Sequence, residues 1–439
     1  MKSKYDLEKI SFCVLALLTG CAERAPPGSE ALGYGVNPVL PEPEHALLPT
    51  VNIAPAKPRA DASMPVVQRG FVVSALATGL QHPRWLYVLP NGDILVAESD
   101  APAEHDQGSG IKGAVMRMVM KWAGAGVPSP DRILLLHQQP GKGTQQTVFL
   151  DNLHSPFGMA LIGDQLYVAN TDALMRYTWH VGSLHPESAG TKVIDLPAGP
   201  INHHWTKNLL ASEDGKNLYI TIGSNSNVME NGAAQEADRA QILQLDIGTK
   251  RTRSYATGLR NPNGMDWQPE SHALWTAVNE RDELGNNLVP DYMTAVKEGG
   301  FYGWPYSYYG QNIDTRAQPG RPDLVQLAIK PDYALGNHTA SLGLVFYRGH
   351  TFPSRYQNGV FIGQHGSWNR TPRTGYKVVF IPFKAGQPDG LPEDFMTGFL
   401  SSEGNALGRP VGVAIDTTGA LLVADDVGNT IWRVQFVGK

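Results

Sequence analysis

His82-Pro-Arg-Trp-Leu-Tyr-Val-Leu-Pro-Asn-Gly-Asp-Ile-Leu-Val-Ala97 sets out a turn, a short apolar strand, an Asn-Gly-Asp turn and a second apolar strand. The same phrase returns at 155–169, 208–221, 261–277 and 409–424, and in degenerate form between Leu342 and Gly363. Such a hairpin cannot bury both of its faces alone. Stacking six copies radially gives each a neighbour on either side. The predicted fold is therefore all-β, a six-bladed β-propeller with four-stranded antiparallel blades, preferred over two β-sandwich domains. Composition agrees: of 439 residues, 47 are Gly and 32 Pro, and only 18% are charged, which suits turn-rich β structure and excludes a coiled coil or helical repeat array. The formal net charge of −5 argues against a nucleic-acid binder.

Upstream of the repeats, residues 1–20 read as an export signal: a basic start, an apolar stretch from Ile10 to Leu18, then small residues. Leu18-Thr-Gly-Cys21 resembles the bacterial lipoprotein box, which makes Cys21 a lipidated first residue of the mature chain. The only other cysteine, Cys13, lies in the signal, so the mature body is expected to fold without disulfides or thiolate metal sites. Ala22, not Asp, follows the cysteine, which points to the outer membrane, facing the periplasm. Residues 21–69, rich in Pro and Ala, read as a poorly ordered tether, and residues 70–439 as the propeller.

A ring of blades leaves an axial funnel, and chemistry belongs in the loops around it. Gly108-Ser-Gly-Ile-Lys-Gly113 fits a dinucleotide pattern but leads into Val115–Met120, which reads as a strand and not a helix, so it is taken as a loop. Adjacent His203 and His204, before the third repeat, point opposite ways on extended chain and are poor joint metal ligands. One of them is either a general base in the funnel or part of a structural pair. Arg84, Arg260-Asn261 and Arg409 recur at blade starts, where they are turn arginines or, if they converge, a site for a planar polyanion. The polar insertion 279–291 lacks the ligand spacing of an EF-hand, though its backbone carbonyls suit a hard cation.

Leu259–Met265, Asn279–Asp282, Glu298–Pro305, His365–Arg370 with Gly375–Val378, and Gly408–Val413 together resemble the soluble quinoprotein sugar dehydrogenases, in particular the sorbosone dehydrogenase-like branch. The resemblance runs from Phe71 to Val434. It implies a propeller holding pyrroloquinoline quinone (PQQ) and calcium, an aldose sugar or related aldehyde as substrate, and a periplasmic electron acceptor, a cytochrome or a quinone. It also implies His204 as base, Arg260 and Asn261 on the cofactor with Arg260 stabilising developing charge, Arg409 as a further cofactor arginine, and calcium on the backbone carbonyls of Glu280 and Arg281. Two family features are missing, a fifth-blade cofactor lysine and a second-blade glutamine. Arg370 and His365 are the candidates to replace the lysine. Two other classes compete: a calcium-dependent lactonase or esterase propeller, and a non-catalytic binding module.

Overall fold

A computed structural model describes residues 24–26, 28–44, 50–59, 63–102, 118, 120–139 and 143–438. The export signal, Cys21 and the Gly108–Gly113 loop lie outside the described residues. Among the described residues, six antiparallel sheets form a six-bladed β-propeller. Blade 1 contains Pro83–Val88, Ile94–Glu98, Arg132–Gln139 and Gly143–Leu150, and blade 2 contains Met159–Ile162, Gln165–Ala169, Ala173–Thr178 and Thr191–Asp195. Blade 3 contains Leu209–Ala211, Asn217–Ile222, Gln241–Asp246 and Thr252–Thr257. Blade 4 contains Pro262–Trp267, Leu274–Val278, Pro290–Ala295 and Tyr333–Asn337. Blade 5 contains Ser341–Phe346, Val360–Gln364, Lys377–Ile381 and Glu393–Thr397. Blade 6 takes Pro410–Ile415, Leu421–Asp425 and Thr430–Phe436 from the end of the chain and Phe71–Ala77 from its start.

The periodicity of the second strands explains why they stack as a ring. Ile94–Glu98 is buried along its whole length. Because successive side chains point to opposite faces, Ile94 and Val96 pack on Leu422 and Ala424 of blade 6, while Leu95 and Ala97 pack with Phe157, Met159 and Leu166 towards blade 2. Among the described residues, each of the six apolar clusters is one such blade–blade interface. Burying a Val, Leu or Ile side chain contributes roughly 1.5–3 kcal/mol, so each interface supplies what a lone hairpin lacks.

Ring closure rests on Phe71–Ala77 pairing with the last strand, with Val73 opposite Val434. Phe71 anchors it, its ring 4.8 Å from Phe352, 5.0 Å from Phe395 and 5.2 Å from Phe436. Truncating Phe71 to alanine is expected to cost about 3–5 kcal/mol, read as a lowered midpoint in urea with an unchanged slope.

The segment read as a tether is extended but docked. Tyr34–Gly35 adds a fifth strand to blade 4 and Val66–Val67 a fifth to blade 5. Between them, Asn52 and Ala56 donate backbone hydrogen bonds to the carbonyls of Trp368 and Trp122, and Ala406 donates to Pro55. Ile53 and Ala54 are buried. This strap lies on the funnel side of blades 5 and 6.

Candidate functional site

In every blade the turn before the first strand and the turn after the second strand meet on one face of the ring. These turns carry His82 and Ser99, Ser155 and Asn170, His204 and Ser224, Arg260 and Glu280, His338 and His365, and Arg409 with Asp426. That face is the mouth of the funnel.

On the blade-3 side, His204 is half-buried while His203 is exposed, which separates the two as expected of neighbours on extended chain. His204 Nδ1 lies 2.8 Å from the Ser224 carbonyl oxygen and 3.1 Å from Ser224 Oγ. A carbonyl only accepts, so Nδ1 carries the proton and Nε2 keeps its lone pair. Burial depresses the imidazole pKa well below its usual range, and the charges of Arg260, His203 and Arg239 push it further down. His204 is thus a neutral acceptor. Behind it, fully buried Lys207 donates to the Trp205 carbonyl at 3.1 Å, and Arg239 Nη2 donates to Asn202 Oδ1 at 2.9 Å. These bonds brace the turn that carries the imidazole.

Gly223 lets the next blade reach this ring. A Cβ there would sit 2.5 Å from Asn261 Oδ1 and 2.5 Å from His204 Cβ, so glycine is what allows blade 4 to bring its amide against the imidazole. Arg260 is buried beside it. Its Nη1 donates to the Glu280 carbonyl at 2.8 Å and to that of Asn279 at 3.3 Å, and its Nη2 donates to Asn227 Oδ1 at 3.0 Å. Burial lowers its pKa against the pull of Asp282 and Glu280, but a guanidinium stays charged. Asp282 Oδ2 is 3.7 Å from Arg260, while its Oδ1 accepts from Asn369 at 2.6 Å and lies 3.3 Å from His338 Nδ1. Burial raises the Asp282 pKa, yet the His338 hydrogen bond and Arg260 outweigh it, so the carboxyl ends below its usual range and is ionised.

A third group closes the mouth between blades 1, 5 and 6. Asp426 Oδ2 accepts from Arg84 at 2.5 Å and from His365 Nε2 at 2.8 Å, with His82 Nε2 at 3.7 Å. Burial drives His365 down to about 4 despite the pull of Asp426. Burial opposes ionisation of Asp426, but His365, His82 and Arg84 hold it far below the carboxylate range. The pair is therefore a neutral imidazole donating to a carboxylate. Arg84 also lies 5.9 Å over the Trp205 ring.

The structure brings together His204, Arg260 and Asn261, and places His365 across the mouth from them. Arg409 is close but covered: its Nη1 donates to His365 O at 3.2 Å, its Nη2 to Ala54 O of the strap at 3.4 Å, and its guanidinium stacks 4.8 Å over Tyr376. Arg370 is not brought to the funnel. It is fully buried, and Nε, Nη1 and Nη2 donate to Asn286 O, Pro372 O and Asn287 Oδ1 at 2.7–3.0 Å, stapling two loops. Held between those two loops, it does not stand at the funnel wall where a replacement for the missing lysine would be needed. Ser224, Asp426, Asp282, His338 and Asn369 escaped the sequence reading. One signal would have found Ser224, Asp282 and Asp426: each stands just past the end of a blade's second strand, as His365 does.

The residues fit PQQ. Asn261 Oδ1, Asn369 Oδ1 and the Nε atoms of Arg84 and Arg409 are buried without a hydrogen-bond partner. An unsatisfied buried polar atom costs roughly 1–3 kcal/mol. The two guanidinium N–H groups suit the carboxylates and carbonyls of a planar group, while the two amide oxygens would accept from a ring N–H or a substrate hydroxyl. Calcium is less well served. The Glu280 carbonyl already accepts from Arg260, Arg281 is buried with its side chain tied to Glu280, Asp314 and the Pro305 and Ser307 carbonyls, and no group of three or more His, Cys, Asp or Glu suited to a metal occurs among the described residues.

A propeller whose funnel mouth gathers buried arginines, amides and two neutral imidazoles, His204 and His365, defines a class of catalytic or binding ring. The chain belongs to the TrAA12-like family, whose sequence profile matches residues 65–298 and 324–436. It is 32% identical over 243 residues to an uncharacterized protein of Borreliella burgdorferi, covering 55% of this chain and 63% of that one. It is 29% identical over 167 residues to the aldose sugar dehydrogenase YliI of Escherichia coli strain K12, covering 34% of this chain and 42% of that one. The chain thus spans less than two thirds of the length of these relatives. Among solved structures, the holo PQQ domain of pyranose dehydrogenase from Coprinopsis cinerea superposes with a TM-score of 0.68 at 19% identity, over 87% of this chain and 100% of that one. That likeness shows the fold.

The charges around His204 predict a pH profile. A base is active when neutral, so turnover should persist as pH falls through the usual histidine range, with its acid limb below 6.5. Replacing exposed His203 with glutamine removes one of the charges that depress His204, so the limb should move up, with the alkaline plateau unchanged. A steady-state pH profile of the two proteins measures this.

Proposed function

We propose that the protein is a PQQ-dependent oxidoreductase of the bacterial envelope that oxidises an aldose sugar or a related, sorbosone-like sugar aldehyde, held to the outer membrane by lipidated Cys21. The observation that carries the reading is the open Nε2 of His204 beside the unpartnered amide of Asn261 and the guanidinium of Arg260, in a chain whose family includes sugar dehydrogenases. PQQ, when bound, supplies a two-electron acceptor. Asn261, Arg260 and the open Nε of Arg84 and Arg409 would hold it. His204 Nε2 takes the hydroxyl proton from the anomeric carbon, or from an aldehyde hydrate, as that carbon loses hydride. Arg260 stabilises negative charge that develops beside it. On the opposite wall neutral His365, whose Nε2–H is given to Asp426, leaves Nδ1 as an acceptor for a sugar hydroxyl, and Arg84 supplies donors. Calcium is part of the proposal only as a requirement to be tested, since it would share the Glu280 carbonyl with the Arg260 guanidinium.

The test uses the mature chain from Cys21, because starting at Gly70 would strip both strap strands and the Ala54 carbonyl from Arg409. Apo-protein is mixed with PQQ, with and without calcium, and reduction of an artificial dye is followed across a panel of aldoses and sugar aldehydes. Reduction that requires PQQ is the expected result. No reduction and no rise in melting temperature with PQQ would overturn the reading.

A further inference from the structure

We propose that the funnel face of this protein is its membrane-facing surface, lying against phospholipid headgroups. The inference rests on the lipid anchor at Cys21 proposed above. The first point at which the described chain is pinned is Ala25, whose N–H donates to the Thr371 carbonyl at 2.8 Å. Thr371 belongs to the loop after the second strand of blade 5, on the funnel face. Ala25 is four residue steps from Cys21, and a fully extended chain of that length spans at most about 14 Å. Further along the described strap, Ser29 Oγ donates to Asn287 Oδ1 at 3.3 Å, and Tyr34–Gly35 pairs with blade 4. A free tether would let the ring tumble above the membrane, whereas this one fixes the anchor at the rim of the mouth.

The surface around that rim is suited to a headgroup layer. Asn52 and Ala56, near the two ends of the buried run of strap, bond to the carbonyls of Trp368 and Trp122. Both indoles are exposed, at 38% and 43%, and Met118 and Met120 beside Trp122 are exposed as well. A Cβ on Gly124 would meet Ala56 and Val427, which places the Trp122 turn on the funnel side of blade 6. Tryptophan is favoured at the membrane–water boundary because one end of the ring is apolar and the other wet. Arg24, Lys57 and Lys121 are exposed on the part of the rim over blades 5 and 6 and complement lipid phosphates, while exposed Glu44, whose N–H donates to the Leu284 carbonyl, sits on the same face over blade 4. Among the described residues no helix is long and apolar enough to cross a membrane, so contact at this face is interfacial. Reducing equivalents would then leave the funnel at the bilayer surface.

Lipidation occupies the Cys21 thiol and the mature body has no other, so one introduced cysteine can be labelled selectively. Full-length protein is made in the envelope of a bacterial host as Trp122→Cys, Trp368→Cys or, should either tryptophan be needed for folding, Lys121→Cys. Asp214→Cys, in a turn on the opposite face, is the control. Each carries an environment-sensitive fluorophore and is reconstituted in phosphatidylethanolamine–phosphatidylglycerol vesicles containing a spin-labelled lipid. Quenching at 121, 122 and 368 several-fold above that at 214 is expected. Equal quenching, or more at 214, overturns the orientation while leaving the anchor in place, as would a soluble carrier docking there and keeping lipid away. An unmodified Cys21 by mass spectrometry overturns anchor and orientation together, and dye reduction by the same preparation shows separately whether the dehydrogenase reading stands.

Discussion

Replacing His204 with alanine is expected to cut PQQ-dependent dye reduction by about 10²–10⁴-fold, the usual worth of a positioned general base, while PQQ still raises the melting temperature. The asymmetry follows from geometry. His204 is held through Nδ1 by a backbone carbonyl, and Nε2 makes no structural bond that its loss would break. The cofactor donors sit on other blades, at Asn261, Arg84 and Arg409. Lost turnover with retained cofactor is the signature of a base. Loss of both would mean that His204 holds the turn, and near-normal turnover would place the base elsewhere, with His365 the next to test.

Arg260→Lys should lower both PQQ affinity and turnover, the latter by about 10²–10³-fold, the scale on which one donor to developing charge acts. Lysine keeps the charge but loses the fork. The arginine reaches Glu280 O, Asn279 O and Asn227 in one plane, which a point-like ammonium cannot span. Those carbonyls would be left short of donors, so a fall of a few degrees in apo-protein melting temperature should accompany the kinetic defect. Turnover measured at saturating PQQ separates the two effects. If Arg260 serves only to tie the Asn279–Asp282 loop, saturation restores the rate; if it acts on the reacting centre, the defect remains.

The limits of a family resemblance are visible in particular side chains. The resemblance singled out His204, Arg260 and Asn261, each close before a blade's first strand, and the fold sets the three side by side. Arg370 was misjudged as a funnel cation because a short motif gives a residue's identity and not its direction, and here it points into the body between Asn286 and Pro372. The strap was missed for a related reason. A stretch of Pro and Ala without periodicity carries no side-chain signal for docking, and this one docks through backbone hydrogen bonds and two-residue strands.

Alternation and turn chemistry are local and repeat along the chain, so the number of blades, their strand phrasing and the residues at each blade start can be read without the fold. Which of those residues meet depends on closure of the ring. Asp426 joins Arg84 and His365 only because the ring closes, bringing blade 6 against blade 1 and setting side chains 342 and 61 positions apart on one carboxylate. The same closure gives His365 its neutrality, Arg409 its cover and the funnel its cationic wall, since desolvation and charge depend on neighbours that are far away in the chain.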